Sequence, residues 1–208
     1  MANHVHWSLN FNSMNEEATK KFIEIQKRVR PREEGSYTQQ WFGDLFVDGN
    51  KISPTYEESE QYIWAVDNIG AKWCYIEDMY EDSITGYSAW SPPTEGIESL
   101  IAELSEHDGN LVSVFTYDDE APNFFGAATY EGNECLSSEY WEYNDLIKQC
   151  VKNNIEDLGG KYNFEDGEWA DEESESIFQD FMYETLSSMQ DDEILYGMQY
   201  VSKNATVE

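Results

Sequence analysis

Residues 87–104, YSAWSPPTEGIESLIAEL, decide how this chain folds. Residues 87–90 read as the end of a buried strand, and Pro92 and Pro93 stop it because neither offers an N–H to a ladder. Thr94 stands where its hydroxyl caps a helix, and Glu95 falls in the first turn, where the helix dipole favours an anion. Ile97, Leu100, Ile101 and Leu104 then repeat at i, i+3, i+4 and i+7, the period of a helix laid on a core. The stretch predicts a strand feeding directly into a core helix. It specifies a fold and no reaction.

Working back from it, residues 72–76 (KWCYI) and 83–90 (SITGYSAW) read as two strands around an acidic turn. Ahead of them, Thr55 and Glu58 stand in capping-box register behind Pro54. Tyr62, Ile63, Val66 and Ile69 make the expected apolar face of that helix, and Gly70 its stop. Residues 41–47 (WFGDLFV) read as a strand ended by Asp48, Gly49 and Asn50. At the start, Val5, Trp7, Leu9 and Phe11 alternate with His4, His6, Ser8 and Asn10, the period of a half-buried strand. Ser13 and Glu16 form a second expected capping box, followed by the helical stripe Ala18, Phe22, Ile25 and Val29. Its basic residues read as a solvated helix end.

Working forward, residues 110–117 and 123–130 read as a hairpin whose loop holds Asp118, Asp119 and Glu120. The order of elements argues for an α+β fold, an antiparallel or mixed sheet with helices on one face. From about Leu136 the character changes. Trp141, Leu146, Ile147 and Val151 predict a helix ending near Gly159 and Gly160. Ile177, Phe178, Phe181, Met182, Leu186 and Met189 predict another over residues 171–189, and residues 194–201 read as a closing strand. The expected division is a domain over residues 1–135 and an acidic, mainly helical extension over 136–208.

Charge is the exceptional property. The 208 residues hold 43 acids against 12 bases, a formal net charge of −31. Residues 1–32 hold six of the bases and three of the acids, so residues 33–208 carry 40 acids and six bases, a net of −34. A net charge of about 2–8 in magnitude suffices to keep a small domain soluble, and self-repulsion beyond that opposes compaction. Direct contact with nucleic acid or an anionic bilayer is excluded on the same ground, and a basic protein is the expected partner. Residues 156–193 concentrate fourteen acids around one base, Lys161.

Cys74, Cys135 and Cys150 are odd in number and widely spaced, which reads as reduced thiols in a cytoplasmic protein. His4 and His6 share one face of the first strand, but two ligands make no zinc site. Sequence motifs for a nucleophile elbow, a P-loop, a dinucleotide fold or a zinc protease are absent. The expectation is therefore no catalytic residue, no metal and no cofactor.

The middle of the chain resembles the YubB-type ferredoxin-like domain of bacterial plasmids and phages. Ala89-Trp90-Ser91-Pro92-Pro93 is the most distinctive segment, and Gly70-Ala71-Lys72-Trp73 is similar to that family's Gly-Thr-Lys-Trp. Phe124-Phe125-Gly126 and Gly132 fall where the family has a Glu-x-Gly and Phe-x-Gly hairpin. The likeness covers roughly residues 1–134. The family's opening Pro-Asn-Trp-Cys is replaced here by Met1-Ala2-Asn3-His4-Val5-His6-Trp7, so no role of that cysteine carries over. The resemblance implies a ferredoxin-like fold and a mobile-element origin, and it lends no catalytic residues.

These readings converge on a non-enzymatic phage or mobile-element protein that mimics nucleic acid. Its expected target is a basic host nucleic-acid-binding protein: a restriction, CRISPR or other defence effector, or a transcription or nucleoid protein. The expected contact residues are Asp118, Asp119 and Glu120 in the hairpin loop, with Glu165, Asp166, Glu168, Asp171, Glu172, Glu173 and Glu175 further on. The alternative is an enzyme or small-ligand binder that uses the sheet face.

Overall fold

The structure, a computed structural model, describes residues 3–29, 40–46, 58–120 and 123–204. Its elements run β1 (His4–Ser13), α1 (Glu16–Gln26), β2 (Gln40–Trp41), a 3-10 helix (Phe42–Phe46), α2 (Glu58–Ile69), β3 (Lys72–Met79), β4 (Ser83–Ala89) and α3 (Thr94–Ser105). There follow β5 (Val112–Asp119), β6 (Phe124–Glu131), β7 (Glu134–Glu142), α4 (Tyr143–Asn153), α5 (Ile155–Leu158), β8 (Tyr162–Asn163), β9 (Glu168–Trp169) and α6 (Glu172–Asn204). The class is α+β. Seven strands form one sheet in the order β2-β3-β4-β1-β5-β6-β7, with each neighbouring pair antiparallel.

Register sorts the side chains into two faces. Trp7 lies between Gly86 and Tyr117, and Leu9 between Ile84 and Phe115. This face carries the larger core, where Phe22 and Ile25 of α1, Ile69 of α2 and Ile97, Leu100 and Leu104 of α3 are all buried. The other face buries Phe125 and Ala127 of β6 against Leu146, Ile147, Cys150, Leu158, Phe178 and Met182. Helices therefore cover both faces, where the sequence predicts one. α1, α2 and α3 take the expected face, and α4 and α6 take the other.

The strand-to-helix junction forms as read, with one change at its cap. Ile97, Leu100, Ile101 and Leu104 are buried, but Pro93 rather than Thr94 holds the cap position, and no side chain caps the helix. Its carbonyl accepts from Ile97 N at 2.9 Å. The junction docks on the end of α2: Ser91 Oγ donates to Gly70 O at 2.9 Å, and the Glu95 carboxylate lies where a Cβ on Gly70 would stand. Gly70 has φ +82°, a left-handed conformation open to glycine at little cost, and it stops α2 as expected.

Five other local readings change. Asn15, not Ser13, caps α1, accepting from Ala18 N at 2.9 Å. Of the expected second strand, only Trp41 pairs with β3, together with Gln40 just ahead of it; residues 42–46 coil into a 3-10 helix that buries Phe42, Leu45 and Phe46 together, and Val47 lies outside the described residues. α2 is rotated from its expected face, with Ala65 and Ile69 buried while Ile63 and Val66 are 60% and 41% exposed. Trp64 sets that rotation by meeting the rings of Trp41 and Phe46 at 5.4 and 6.4 Å. The expected start of this helix at Thr55 lies outside the described residues. Finally, residues 134–142 form β7, which runs through the expected boundary at 135/136 and pairs with β6 along its length, and residues 194–201 continue α6 as helix.

The basic end of α1 is not simply solvated. Lys21 Nζ and Arg28 Nη2 reach the Glu103 carboxylate at 3.1 and 2.9 Å, and Arg28 also donates to Leu45 O at 2.8 Å. Burial pushes the Glu103 carboxyl up, yet hydrogen bonds and charge from Arg28 and Lys21 outweigh it and hold the group below its ordinary value. A depressed folded value stabilises the protein above the unfolded value of about 4.3, and the contribution is lost as pH falls through the folded value. Glu103→Gln should therefore flatten the acid limb of stability below about pH 5, read from urea midpoints across pH. An unchanged acid limb would show that the pair contributes nothing.

Candidate functional site

The acidic residues expected to act together separate into two structural groups. The first is built on β8, β9 and the start of α6. Residues 162–169 make a small hairpin, Tyr162 pairing with Trp169, and the rings of these two stand 4.8 Å apart. Asn163 holds the turn, its amide donating to Asp166 and its side-chain oxygen accepting from Glu165 N at 3.0 Å. Glu165, Asp166 and Glu168 are exposed around it.

Asp171 caps α6. It accepts from the backbone N–H of Ser174 at 2.8 Å and from the Ser174 hydroxyl, and Lys161 stands 3.3 Å away. The Ser174 hydroxyl and amide, with help from Lys161, hold the Asp171 carboxyl below its ordinary range. Glu172, Glu173 and Glu175 follow in the first turn, all exposed, where the helix dipole favours them. Ser174, Phe178 and Met182 point inward at spacing four, so the opposite side of the helix faces solvent. Glu173, Asp180, Glu184 and Asp191 are exposed along it at spacings of seven, four and seven, a single stripe of carboxylates. The last three lie outside the set expected from sequence, although the 3.6-residue period already aligns them.

The second group behaves differently. Asp118 and Asp119 belong to β5 and not to a loop. Asp119 is 6% exposed and accepts from the Asn123 amide. Glu120 ties down the start of β1, accepting from His4 N at 2.9 Å and lying 3.4 Å from His4 Nδ1. Asp118 is half-buried; loss of water raises its carboxyl above the ordinary value, His6 partly opposes this and Asp119 adds to it. Asp119 and Glu120 tie β5 to the start of β6 and to β1, and Asp118 is half-buried, so they offer a partner less than the exposed glutamates of the first group do. Both groups lie toward the same end of the sheet, because Asp118 pairs with Phe125 and Phe125 shares a core with Phe178.

Sequence reasoning passed over Glu134, Glu139 and Glu142, which β7 exposes. Between α3 and the β6–β7 turn lies a groove of about 480 Å³ lined by Glu95, Glu98, Tyr130 and Cys135. Burial and the charge of Glu98 raise both the Tyr130 hydroxyl and the Cys135 thiol, so the thiol stays protonated near neutrality and is a poor nucleophile.

Among the described residues, no group of three or more His, Cys, Asp and Glu side chains converges as metal ligands. No described helix is long and apolar enough to cross a membrane. Comparison with protein-family models, with curated proteins and with solved structures finds no match.

Proposed function

We propose that this chain is a non-enzymatic acidic protein of a phage or other mobile element that binds and inhibits a host nucleic-acid-binding protein. Its contact surface is the β8–β9 hairpin with the first turn and outer stripe of α6. The observation that carries the reading is the net charge of −34 over residues 33–208, held on a folded scaffold with two buried cores. Charge kept at that density against self-repulsion calls for a partner of opposite sign.

The ferredoxin-like reading belongs to the same proposal. β3-β4-β1-β5 is the strand order of a split β-α-β-β-α-β unit, with α1 and α2 between β1 and β3 and α3 between β4 and β5. Ala89-Trp90-Ser91-Pro92-Pro93, the segment that resembles the YubB-type family, occupies the β4–α3 junction of this unit. In this reading β6, β7 and the helices beyond them are an acidic extension built onto it.

The stripe from Glu173 to Asp191 covers about 27 Å at 1.5 Å per residue. One strand of duplex DNA carries about eight phosphates over that length, against four carboxylates here. Such a surface suits a row of spaced lysines and arginines in a binding groove rather than a phosphate-by-phosphate copy.

The test is a panel of purified bacterial DNA- and RNA-binding proteins, titrated against the chain at low and high salt with DNA as competitor. At least one should bind at low salt, lose affinity with salt and release its DNA. Asp171→Asn with Glu172→Gln, Glu173→Gln and Glu175→Gln keeps the helix cap, since Asn caps as well as Asp. Each exposed pair contributes modestly, and the four changes together should weaken binding roughly 30-fold, with little change in stability. Unchanged affinity would move the contact away from α6, and a panel without a salt-sensitive binder would overturn the reading.

A further inference from the structure

The two edges of the seven-stranded sheet are unlike. β2 ends one side with two residues before the chain curls into the buried 3-10 helix, a short edge that resists further pairing. β7 ends the other with nine residues, bonded to β6 on one side and to no strand on the other among the described residues. Alternate residues of such a strand turn their N–H and C=O outward, unpaired. β7 has no proline and no lysine to blunt it, and Glu134, Cys135, Ser138, Glu139, Tyr140 and Glu142 are exposed along it.

The side chains around this edge are of two kinds. On the face that carries α1, α2 and α3, an aromatic run crosses the last three strands. Tyr117, Phe124 and Tyr140 follow one another at 6.3 and 6.0 Å, the last pair stacked and Tyr140 56% exposed. Gly126 makes the run possible, because a Cβ there would stand 2.3 Å from the Tyr117 hydroxyl. At the other end of β7 the same face opens into the groove beneath α3, where Cys135 meets Glu95 and Glu98. Glu134, Glu139 and Glu142 add negative charge along the strand itself.

We propose that the open edge of β7 accepts an extended basic segment of a partner protein by strand addition. Main-chain hydrogen bonds join the segment to β7. Its arginine or lysine side chains meet Glu98 in the groove at one end and the exposed Tyr140–Phe124 stack at the other. A second copy of this chain is the poorer occupant. Each copy carries −31, and pairing β7 with itself brings two rows of glutamates together. The inference takes the sign of the partner's charge from the proposed function, and it adds a second contact, beyond the hairpin and the α6 stripe, with the conformation of the segment that makes it.

The test uses synthetic peptides on the full chain. One is a nine-residue peptide alternating arginine and valine. Two twins carry N-methyl groups on one or the other alternate set of amides, which keeps the charge and removes the donors of one edge. A helical alanine-based peptide of equal charge completes the set. Affinity is read by fluorescence anisotropy at two salt concentrations, and amide exchange of residues 134–142 by NMR. The parent peptide should slow exchange of outward β7 amides at least about tenfold and bind about tenfold tighter than one methylated twin. Tyr140→Ala should weaken it several-fold. Equal binding of the parent and both twins, or no protection in β7, overturns strand addition and leaves the acidic-surface reading standing. Failure of every basic peptide at low salt overturns both. Protection of β7 that rises with protein concentration alone assigns the edge to a second copy and also overturns the inference.

Discussion

Phe178→Ala should lower stability by about 4 kcal/mol, the cost of emptying a fully buried aromatic site. The ring has no exposure and stands at the centre of the second core, 5.0 Å from Tyr143 in an edge contact and 5.5 Å from Trp169 in a stacked one. Through these two rings it fastens α6 to the start of α4 and to the β8–β9 hairpin. For a chain of this size 1 kcal/mol moves Tm by about 2–4 °C, so the expected fall is roughly 8–16 °C. Phe178→Leu should cost much less. The variant should also blur the acidic surface, because Asp171, Glu172, Glu173 and Glu175 sit one to two turns ahead of the lost ring. A loss below about 1 kcal/mol would mean that α6 is held by other contacts, chief among them Glu193, which accepts from Ser137 Oγ at 2.8 Å and from the Thr129 hydroxyl.

Gly86→Ala should cost about 3 kcal/mol for a single added methyl. Gly86 lies on β4 opposite Trp7, and a Cβ there would stand 2.1 Å from the backbone oxygen of Tyr75 and 2.5 Å from the Trp7 ring. Neither neighbour can retreat: one is main chain in the adjacent strand, the other is a 3% exposed core indole that meets Phe42 at 5.0 Å. Gly109→Ala is the matched control, since nothing lies within 4 Å of its added Cβ. Urea unfolding of the two variants should separate them clearly. Equal stability would show that the sheet slides to accommodate the methyl.

The expected elements that formed are those whose own residues carry a full period. β1 buries Val5, Trp7, Leu9 and Phe11 in strict alternation, and α1 and α3 bury the stripes predicted for them. β7 carries no such period. Residues 134–142, ECLSSEYWE, have no alternation because an edge strand with both faces partly open places no demand for an apolar row on either side. Ile194, Leu195 and Tyr196, which read as strand, lie within α6. Helix propagation from a docked segment is inexpensive, and it carries these residues onward as helix. The acids divide in the same way. Glu172, Glu173 and Glu175 are exposed because periodicity places them on the outer side of the first turn of α6, whereas Asp119 is buried against the Asn123 amide and Glu120 is tied to His4.

By itself the sequence determined the α+β class, the main strands and helices of the first 131 residues, the sign of the surface charge and the helical start of α6. All of these follow from short-range rules: hydrophobic period, capping residues, proline and glycine stops, and a count of charges. Tertiary structure alone decided which face each helix covers, the rotation of α2 about Trp64, the pairing of β7, and which acids stay free. Those outcomes depend on contacts between residues far apart in the chain. A carboxylate buried beside a distant asparagine and one standing in water look the same in the sequence.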